Sequence, residues 1–385
     1  TDSKRTYQEK QNDLLLTDIY SGVKGNKYSV IGEGIYEKGF EKGRLSAGLK
    51  HSQAFSENTY DGNVTYKTEM KQSDTYLYTE FQGKWQKLNY SLGVTRSWLK
   101  QEGEDGYQTY TFWPRFSFRY AFSDNFYARL NGSLANNPPA LSELSAVEQL
   151  IDSMQIQRGN PDLNPYNRYQ ADLYMEYRKG KVSVGLSSRY RNAPKAIMES
   201  TFIEDGMFIH TYENQDGFQS LNGELNLRAG MLWNILQFSL SGGVNRYWSD
   251  GKDYRHTYTN WYYRAEIMGQ YKHLTAMFSI YNRRNSFWGE KMSSGENLHM
   301  LMVRYNYKQF SVGAGMINPF ANNYKRIYEN WNKYVSSYKE NYINESSHAF
   351  FLTFAWNFRF GRKYQSDGKK IYNQDNDSGI MNAGK

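Results

Sequence analysis

The side chains best suited to chemistry are sparse and scattered along this 385-residue sequence. Its six histidines (His51, His210, His256, His273, His299 and His348) form no HExxH pair and no other metal-ligand spacing. Cysteine is absent, which excludes a thiol nucleophile, a disulfide framework and a zinc-thiolate site. Neither a GxSxG elbow nor a GxxxxGKS/T phosphate loop occurs. The sequence therefore predicts no enzyme, no resident metal and no cofactor. Its binding chemistry is aromatic: Tyr324, Tyr328, Trp331, Tyr334, Tyr338 and Tyr342 recur by threes and fours, a spacing that makes one stripe on a helix. Such faces stack on sugars, haem-like rings or catecholates, or else pack against neighbouring loops. Tyr328, Trp331, Tyr334 and Tyr338 are the predicted ligand contacts.

Most of the remaining chain has the two-residue period of strands. Phe350, Leu352, Phe354, Trp356, Phe358 and Phe360 share one face; Phe351, Thr353, Ala355, Asn357, Arg359 and Gly361 share the other. Tyr110 to Phe122 alternates likewise, with Pro114 marking a predicted bulge because it lacks a ladder donor. The polar face carries both signs of charge, including Asp172, Glu176, Glu224 and Glu266. Arg115, Arg119, Arg129, Arg178, Arg189, Arg228, Arg264 and Arg304 are its arginine candidates, suited to a hydrated lumen or to a surface for a plug.

These strands run to about 10–15 residues, where soluble sandwiches favour about 5–6. No apolar run approaches the roughly 18 residues that a membrane helix requires. Aromatics make up 17% of the chain, and on the apolar faces they gather towards strand ends, as in the girdles of membrane barrels. Predicted tight turns fall at Glu41-Lys42-Gly43, Gln86-Lys87, Ser123-Asp124-Asn125, Lys179-Gly180-Lys181, Lys272-His273 and Lys308-Gln309. Longer connections are predicted near 57–72, 101–107, 137–167, 201–217, 249–258, 285–297 and 321–347. Within 137–167, Leu141, Leu144, Val147, Leu150, Ile151 and Met154 recur at helical spacing and predict a short amphipathic helix.

The fold class that follows is all-β, an antiparallel transmembrane β-barrel in which about 15–16 strands are counted. Residues 1–26 form a lead-in with a candidate strand near Leu14–Ser21, residues 27–361 the strands, and residues 362–385 a polar periplasmic tail. The formal charge of +8 is spread through the strands rather than gathered in a tract. That favours outer-membrane lipids and lipopolysaccharide as partners, and no nucleic acid. The polar start TDSKRTYQEKQND lacks a signal-peptide core, so the sequence reads as a mature or truncated product.

Four stretches are more specific. Pro138–Tyr177, with PPALSEL and then GNPDLNPYNRYQADLYMEY, resembles the P-x-L-x-E-L and GNPxLKPE region of TonB-dependent receptors. Asn164 stands there for the usual Lys, and Tyr166 for the usual Glu. Ile317–Phe320 (INPF), Phe354–Tyr364 (FAWNFRFGRKY) and Lys369–Ile380 (KKIYNQDNDSGI) resemble the C-terminus of Bacteroidetes outer-membrane receptor barrels. The resemblance implies a 22-strand barrel, preceded by a plug, a signal peptide and often a carboxypeptidase-regulatory-like domain. It also implies energy coupling by TonB–ExbB–ExbD, through a plug that this sequence lacks, and about six further strands at the N-terminal side. An unknown solute and a surface lipoprotein are the remaining expected partners.

Two readings of function stand at this point: energy-coupled uptake of a scarce solute (an iron chelate, a cobalamin-like molecule, an oligosaccharide or a peptide), and a plugless passive pore or surface adhesin. An outer-membrane hydrolase would need a converging nucleophile and base. The face assignment is directly testable. Arg at Phe354 or Leu352 is expected to cost membrane insertion ~2–4 kcal/mol near the midplane, with Thr353→Arg better tolerated. Equal losses at all three positions, measured by folding into liposomes, would contradict it.

Overall fold

The computed structural model describes residues 2–358 apart from 13, 63, 64, 103–105, 146 and 323. In chain order the first strands are β1 (Asp2–Gln11), β2 (Leu14–Phe40), β3 (Gly43–Gly62), β4 (Tyr66–Trp85), β5 (Leu88–Glu102), β6 (Tyr107–Ala121) and β7 (Phe126–Asn137). A long connection follows, holding α1 (Leu141–Leu144), β8 (Gln149–Asp152) and β9 (Gln155–Gln157). Then come β10 (Tyr166–Lys179), β11 (Val182–Pro194), β12 (Ile197–Glu204), β13 (Met207–Asn214), β14 (Gly217–Leu232), β15 (Leu236–Asp250), β16 (Arg255–Tyr271) and β17 (Leu274–Tyr281). The chain continues through β18 (Ser286–Trp288), β19 (Lys291–Ser293), β20 (Leu298–Tyr307), β21 (Phe310–Ile317), β22 (Lys325–Asn330), β23 (Ser337–Tyr342) and β24 (Ala349–Trp356).

Sixteen of these strands make one sheet in the order β1-β2-β3-β4-β5-β6-β7-β10-β11-β14-β15-β16-β17-β20-β21-β24. Every neighbour pair in it is antiparallel. Directly paired residues face the same side of a sheet, so the register shows what each face is made of. One rung runs Val182, Ala229, Phe238, Ile267, Phe278, Leu301, Met316, Phe350 across eight strands. Leu352 and Phe354, on the same face, are 73% and 69% exposed. Single exposed apolar side chains are ordinary, but a contiguous apolar surface of this extent marks an apolar surrounding.

On both faces, aromatic rings lie over glycines of the neighbouring strand: Tyr78 over Gly48, Tyr90 over Gly83, Phe116 over Gly132, Tyr262 over Gly243 and Phe351 over Gly315. The missing Cβ lets each ring close onto the sheet and cover its backbone.

The six predicted tight turns are present, and several other expectations need correction. The candidate strand near Leu14–Ser21 is the start of β2, which is longer than expected, and a further strand, β1, precedes it, laddered from Asp2 with a bulge at Glu9/Lys10. Residues 57–72 are not a long connection, because the β3–β4 ladder continues to Tyr60 opposite Tyr66. Charged Glu57, Lys67, Glu69 and Lys71 share one face, and the other carries Asn58, Tyr60, Tyr66 and Thr68 rather than a continuous apolar run, which hid the strands there. Lys67 bridges Glu57 at 3.3 Å and Glu69 at 2.9 Å. A seventh tight turn, around Trp233–Ile235 with φ of 49° and 58° at Trp233 and Asn234, was concealed by its apolar sequence. Pro114 makes no bulge. It pairs in register with Val94 and sits where the β6–β7 ladder ends at Arg115, so its missing N–H breaks no ladder bond. Residues 359–361 of the predicted last strand and the predicted tail, 362–385, lie outside the described residues.

Gly132→Val should force Phe116 off its site and cost about 1–3 kcal/mol, as overpacking does. Gly223→Val, where a Cβ meets nothing within 4 Å, should cost much less. Urea unfolding of the two variants in liposomes checks the difference.

Candidate functional site

The long connections (138–165, 195–216, 282–297 and 318–348) all leave one end of the sheet, opposite the tight turns. They build two further sheets, in the orders β12-β13-β9-β8 and β18-β19-β22-β23. The predicted amphipathic helix is reduced to the single turn α1. Beyond it, Leu150 pairs with Ile156 across a turn in which Asp152 Oδ1 accepts the Met154 N–H at 2.8 Å. That side-chain bond offers the backbone an alternative to helix. The predicted aromatic stripe is also not helical, because β22 and β23 form a hairpin. Its residues separate accordingly: Tyr324 is buried, Tyr328 and Trp331 are half-buried, and Tyr334, Tyr338 and Tyr342 are exposed.

The loop sheets are seated on the polar face of the large sheet. Ala193, Phe218, Tyr247, Tyr258 and Tyr166 occupy the loop end of that face on β11, β14, β15, β16 and β10. They pack with Met198, Phe287, Met292, Ile327 and Trp331 from the loops. Met198 is 1% exposed and Phe287 3%, so each contributes up to about 1.5–3 kcal/mol to the seating. Stacked on this core is a buried carboxylate. Glu290 accepts from Asn332 Nδ2 at 2.6 Å and lies 3.3 Å from His256 Nε2. Its backbone carbonyl accepts the Trp331 N–H at 2.8 Å. His256 stacks on Tyr254, ring centres 4.9 Å apart, and meets Trp331 edge-on. Sequence reasoning missed this hub, since residues at positions 256, 290 and 332 meet only through the topology.

The hairpin end carries a second charged knot. Glu340 accepts from Lys325 at 2.5 Å, Tyr338 at 2.6 Å and Tyr342 at 2.5 Å. These bonds, Lys325 first, hold its carboxyl down at about 2.

All eight predicted arginines occupy the face opposite the Leu/Phe rungs, but they do not form one site. Arg115 meets Glu80 at 2.5 Å, Arg178 meets Glu176 at 2.9 Å and Arg264 meets Glu266 at 3.3 Å, while Arg189 pairs with Asp172. Arg119 lies over the Tyr127 ring, 4.2 Å from its centre, and Arg304 points to the Met302 sulfur at 3.8 Å. Arg228 lines a recess of about 780 Å³ with Glu224, Tyr262, Arg264, Glu266 and Arg284. Among the described residues no three of His, Cys, Asp and Glu converge as metal ligands do. The geometry suits a hydrated, charge-compensated wall with an aromatic cap at one end.

A family model described as "Outer membrane protein beta-barrel family" matches residues 2–356. No curated protein matches the chain. Among solved structures, the chain is similar to the copper transporter OprC, with 12% identity and a TM-score of 0.65 over 80% of this chain and 53% of that one. It is similar to a mutant of the ferric enterobactin receptor PfeA from Pseudomonas aeruginosa in complex with enterobactin, at 14% identity and TM-score 0.60 over 84% and 53% of the two chains. The FrpB iron transporter from Neisseria meningitidis gives 10% identity and 0.58 over 88% and 61%. At these identities the likeness is one of fold. The chain spans about half the length of these structures (53–61%).

Two outcomes are expected of the cap. Met198→Asp should release the loops, raising proteolysis within 195–216 and 282–297 at least several-fold while leaving the far-ultraviolet β signal intact. Because Glu340 ionises more readily in the fold, its contribution to the β22–β23 hairpin is complete above about 4.5 and lost as pH falls through about 2. Exchange protection of the hairpin, corrected for intrinsic rates, should fall over that window in the wild type, and Glu340→Gln should remove the dependence.

Proposed function

The chain belongs to the outer membrane protein beta-barrel family and lies in the bacterial outer membrane, and we propose that it is the wall of a receptor for energy-coupled uptake of a scarce solute. The observation that carries this is the seating of the loop sheets on the polar face through Met198, Phe218, Phe287 and Trp331. A face with compensated charge would line the route, and the cap would control entry to it. The fold likeness to structures named as copper and iron transporters and as an enterobactin receptor supports the same reading.

In this reading the barrel is of the 22-strand, Bacteroidetes type and is completed by strands beyond these sixteen. A plug couples it to TonB–ExbB–ExbD, and a surface lipoprotein can assist at the loops. Tyr334 and Tyr338, exposed on the cap, contact the solute. Tyr328 flanks them, and Trp331 supports the surface from within. The eight arginines line the hydrated route, and lipids with lipopolysaccharide cover the Leu/Phe face. The solute is an iron chelate, a corrinoid, a glycan or a peptide.

A deletion strain should lose growth on one of defined low-level iron, corrinoid, glycan or peptide sources, and inactivating TonB should reproduce the loss. Tyr334→Ala with Tyr338→Ala should raise the half-saturating concentration about tenfold, equivalent to about 1.4 kcal/mol. Passage that persists without TonB, or in liposomes without an energy source, would instead establish a passive pore.

A further inference from the structure

We propose that the polar face binds a multivalent oxyanion, a phosphate- or carboxylate-bearing solute, in a recess at the tight-turn end of β3–β7. The recess holds about 970 Å³ and is lined by Lys42, Arg44, Lys84, Arg119 and Arg129. Glu41 is the one carboxylate in its lining. The register explains the convergence. Lys84, Asn89, Arg119 and Arg129 form one continuous rung across β4, β5, β6 and β7. Arg44, Gln82, Ser91 and Ser117 form the adjacent rung across β3 to β6.

What marks this recess is five cations gathered without compensation. Elsewhere Arg115, Arg178, Arg189 and Arg264 each meet a carboxylate. Among the described residues, none of the five recess cations makes an ion pair. Arg44 donates to Gln82 Oε1 at 3.1 Å, and Arg119 lies over Tyr127. Arg119 stands directly opposite Arg129 in the ladder, an arrangement of like charges that opposes pairing. A multivalent anion between them converts that repulsion into two charge-assisted contacts. Guanidinium forks suit the paired oxygens of phosphate and carboxylate, and Ser117 and Asn89 add neutral donors; the Ser91 hydroxyl donates to Glu80 at 3.0 Å. The volume falls within the ~300–1,000 Å³ typical of small-molecule sites.

The assignment deepens the uptake reading by naming a solute class. Its test is equilibrium binding, which needs no energy coupling, so its failure is distinguishable from a failure of transport. The purified full chain in detergent is titrated calorimetrically with inorganic pyrophosphate and, separately, citrate at low ionic strength. Saturable binding near one equivalent is expected for at least one of them. Arg119→Gln with Arg129→Gln should weaken it at least tenfold, while Lys272→Gln with Lys308→Gln, turn lysines outside the recess, should change it less than twofold. Heat-modifiable gel mobility identifies folded variants, and Arg119→Lys with Arg129→Lys should retain part of the affinity. A second arm in phosphatidylglycerol nanodiscs separates free solute from lipid headgroup: pyrophosphate should still bind there. Three results would overturn the assignment: no saturable binding, equal binding by the double glutamine variant, or occupancy only by lipid or by a polyglutamate peptide.

Discussion

A strand that crosses a membrane must satisfy every backbone N–H and C=O within the sheet, because hydrocarbon offers neither donor nor acceptor. The rest of this structure depends on that constraint. It explains why sixteen strands follow one another as an unbroken antiparallel meander, and why ladders run through to the tight turns. It also limits where irregularity can sit. Pro114 is accommodated at the end of the β6–β7 ladder, and the bulge at Glu9/Lys10 lies beside the β1–β2 turn. Once backbone needs are met in the sheet, side chains are free to divide by face. Leu and Phe rungs then meet lipid, while Arg, Glu, Asn and Ser rungs turn inward.

The inward face shows how a charged wall is kept stable. Exposed ion pairs contribute little individually, but both signs on one face let half of the eight arginines be answered locally, as Arg189 is by Asp172 and Arg264 by Glu266. At the loop end the solution differs. There the polar-face positions become aromatic or small, Phe218, Tyr247, Tyr258 and Ala193, and loop residues pack onto them. The same strand thus changes from a wet wall to a hydrophobic seat along its length. This change gives the loops a fixed position instead of leaving them as free surface segments.

Much of this was legible from residue order. Strict alternation in Phe350–Trp356 and in Leu301–Tyr307 identifies faces because strand geometry has a period of two. Lys272-His273 and Lys308-Gln309 stand out as polar breaks between apolar runs. Legibility failed where local pattern and tertiary context diverge. Leu150 and Met154 have helical spacing, yet they belong to a short hairpin whose partner, β13, lies some 50 residues away. Tyr328 to Tyr338 has the same spacing and is split by a turn. Glu57 to Lys71 alternates charged residues with Asn58, Tyr60, Tyr66, Thr68 and Met70, but a strand that extends into water has no continuous apolar face to maintain, so the segment resembles a loop. The Glu290–His256–Asn332 hub left no local trace, since its members come from three separate segments.

The central claim is that lipid covers the Leu/Phe face and the opposite face is sealed from it. The chain contains no cysteine, so single cysteines can be introduced along β20 and spin-labelled in liposomes. Labels at Leu301, Val303 and Tyr305 should relax strongly with lipid-soluble oxygen and weakly with a water-soluble nickel chelate. Labels at Met300, Met302 and Arg304 should lack the oxygen response. A two-residue oscillation in that phase is the predicted result. Uniform accessibility along the strand, or oscillation in the opposite phase, would contradict the account.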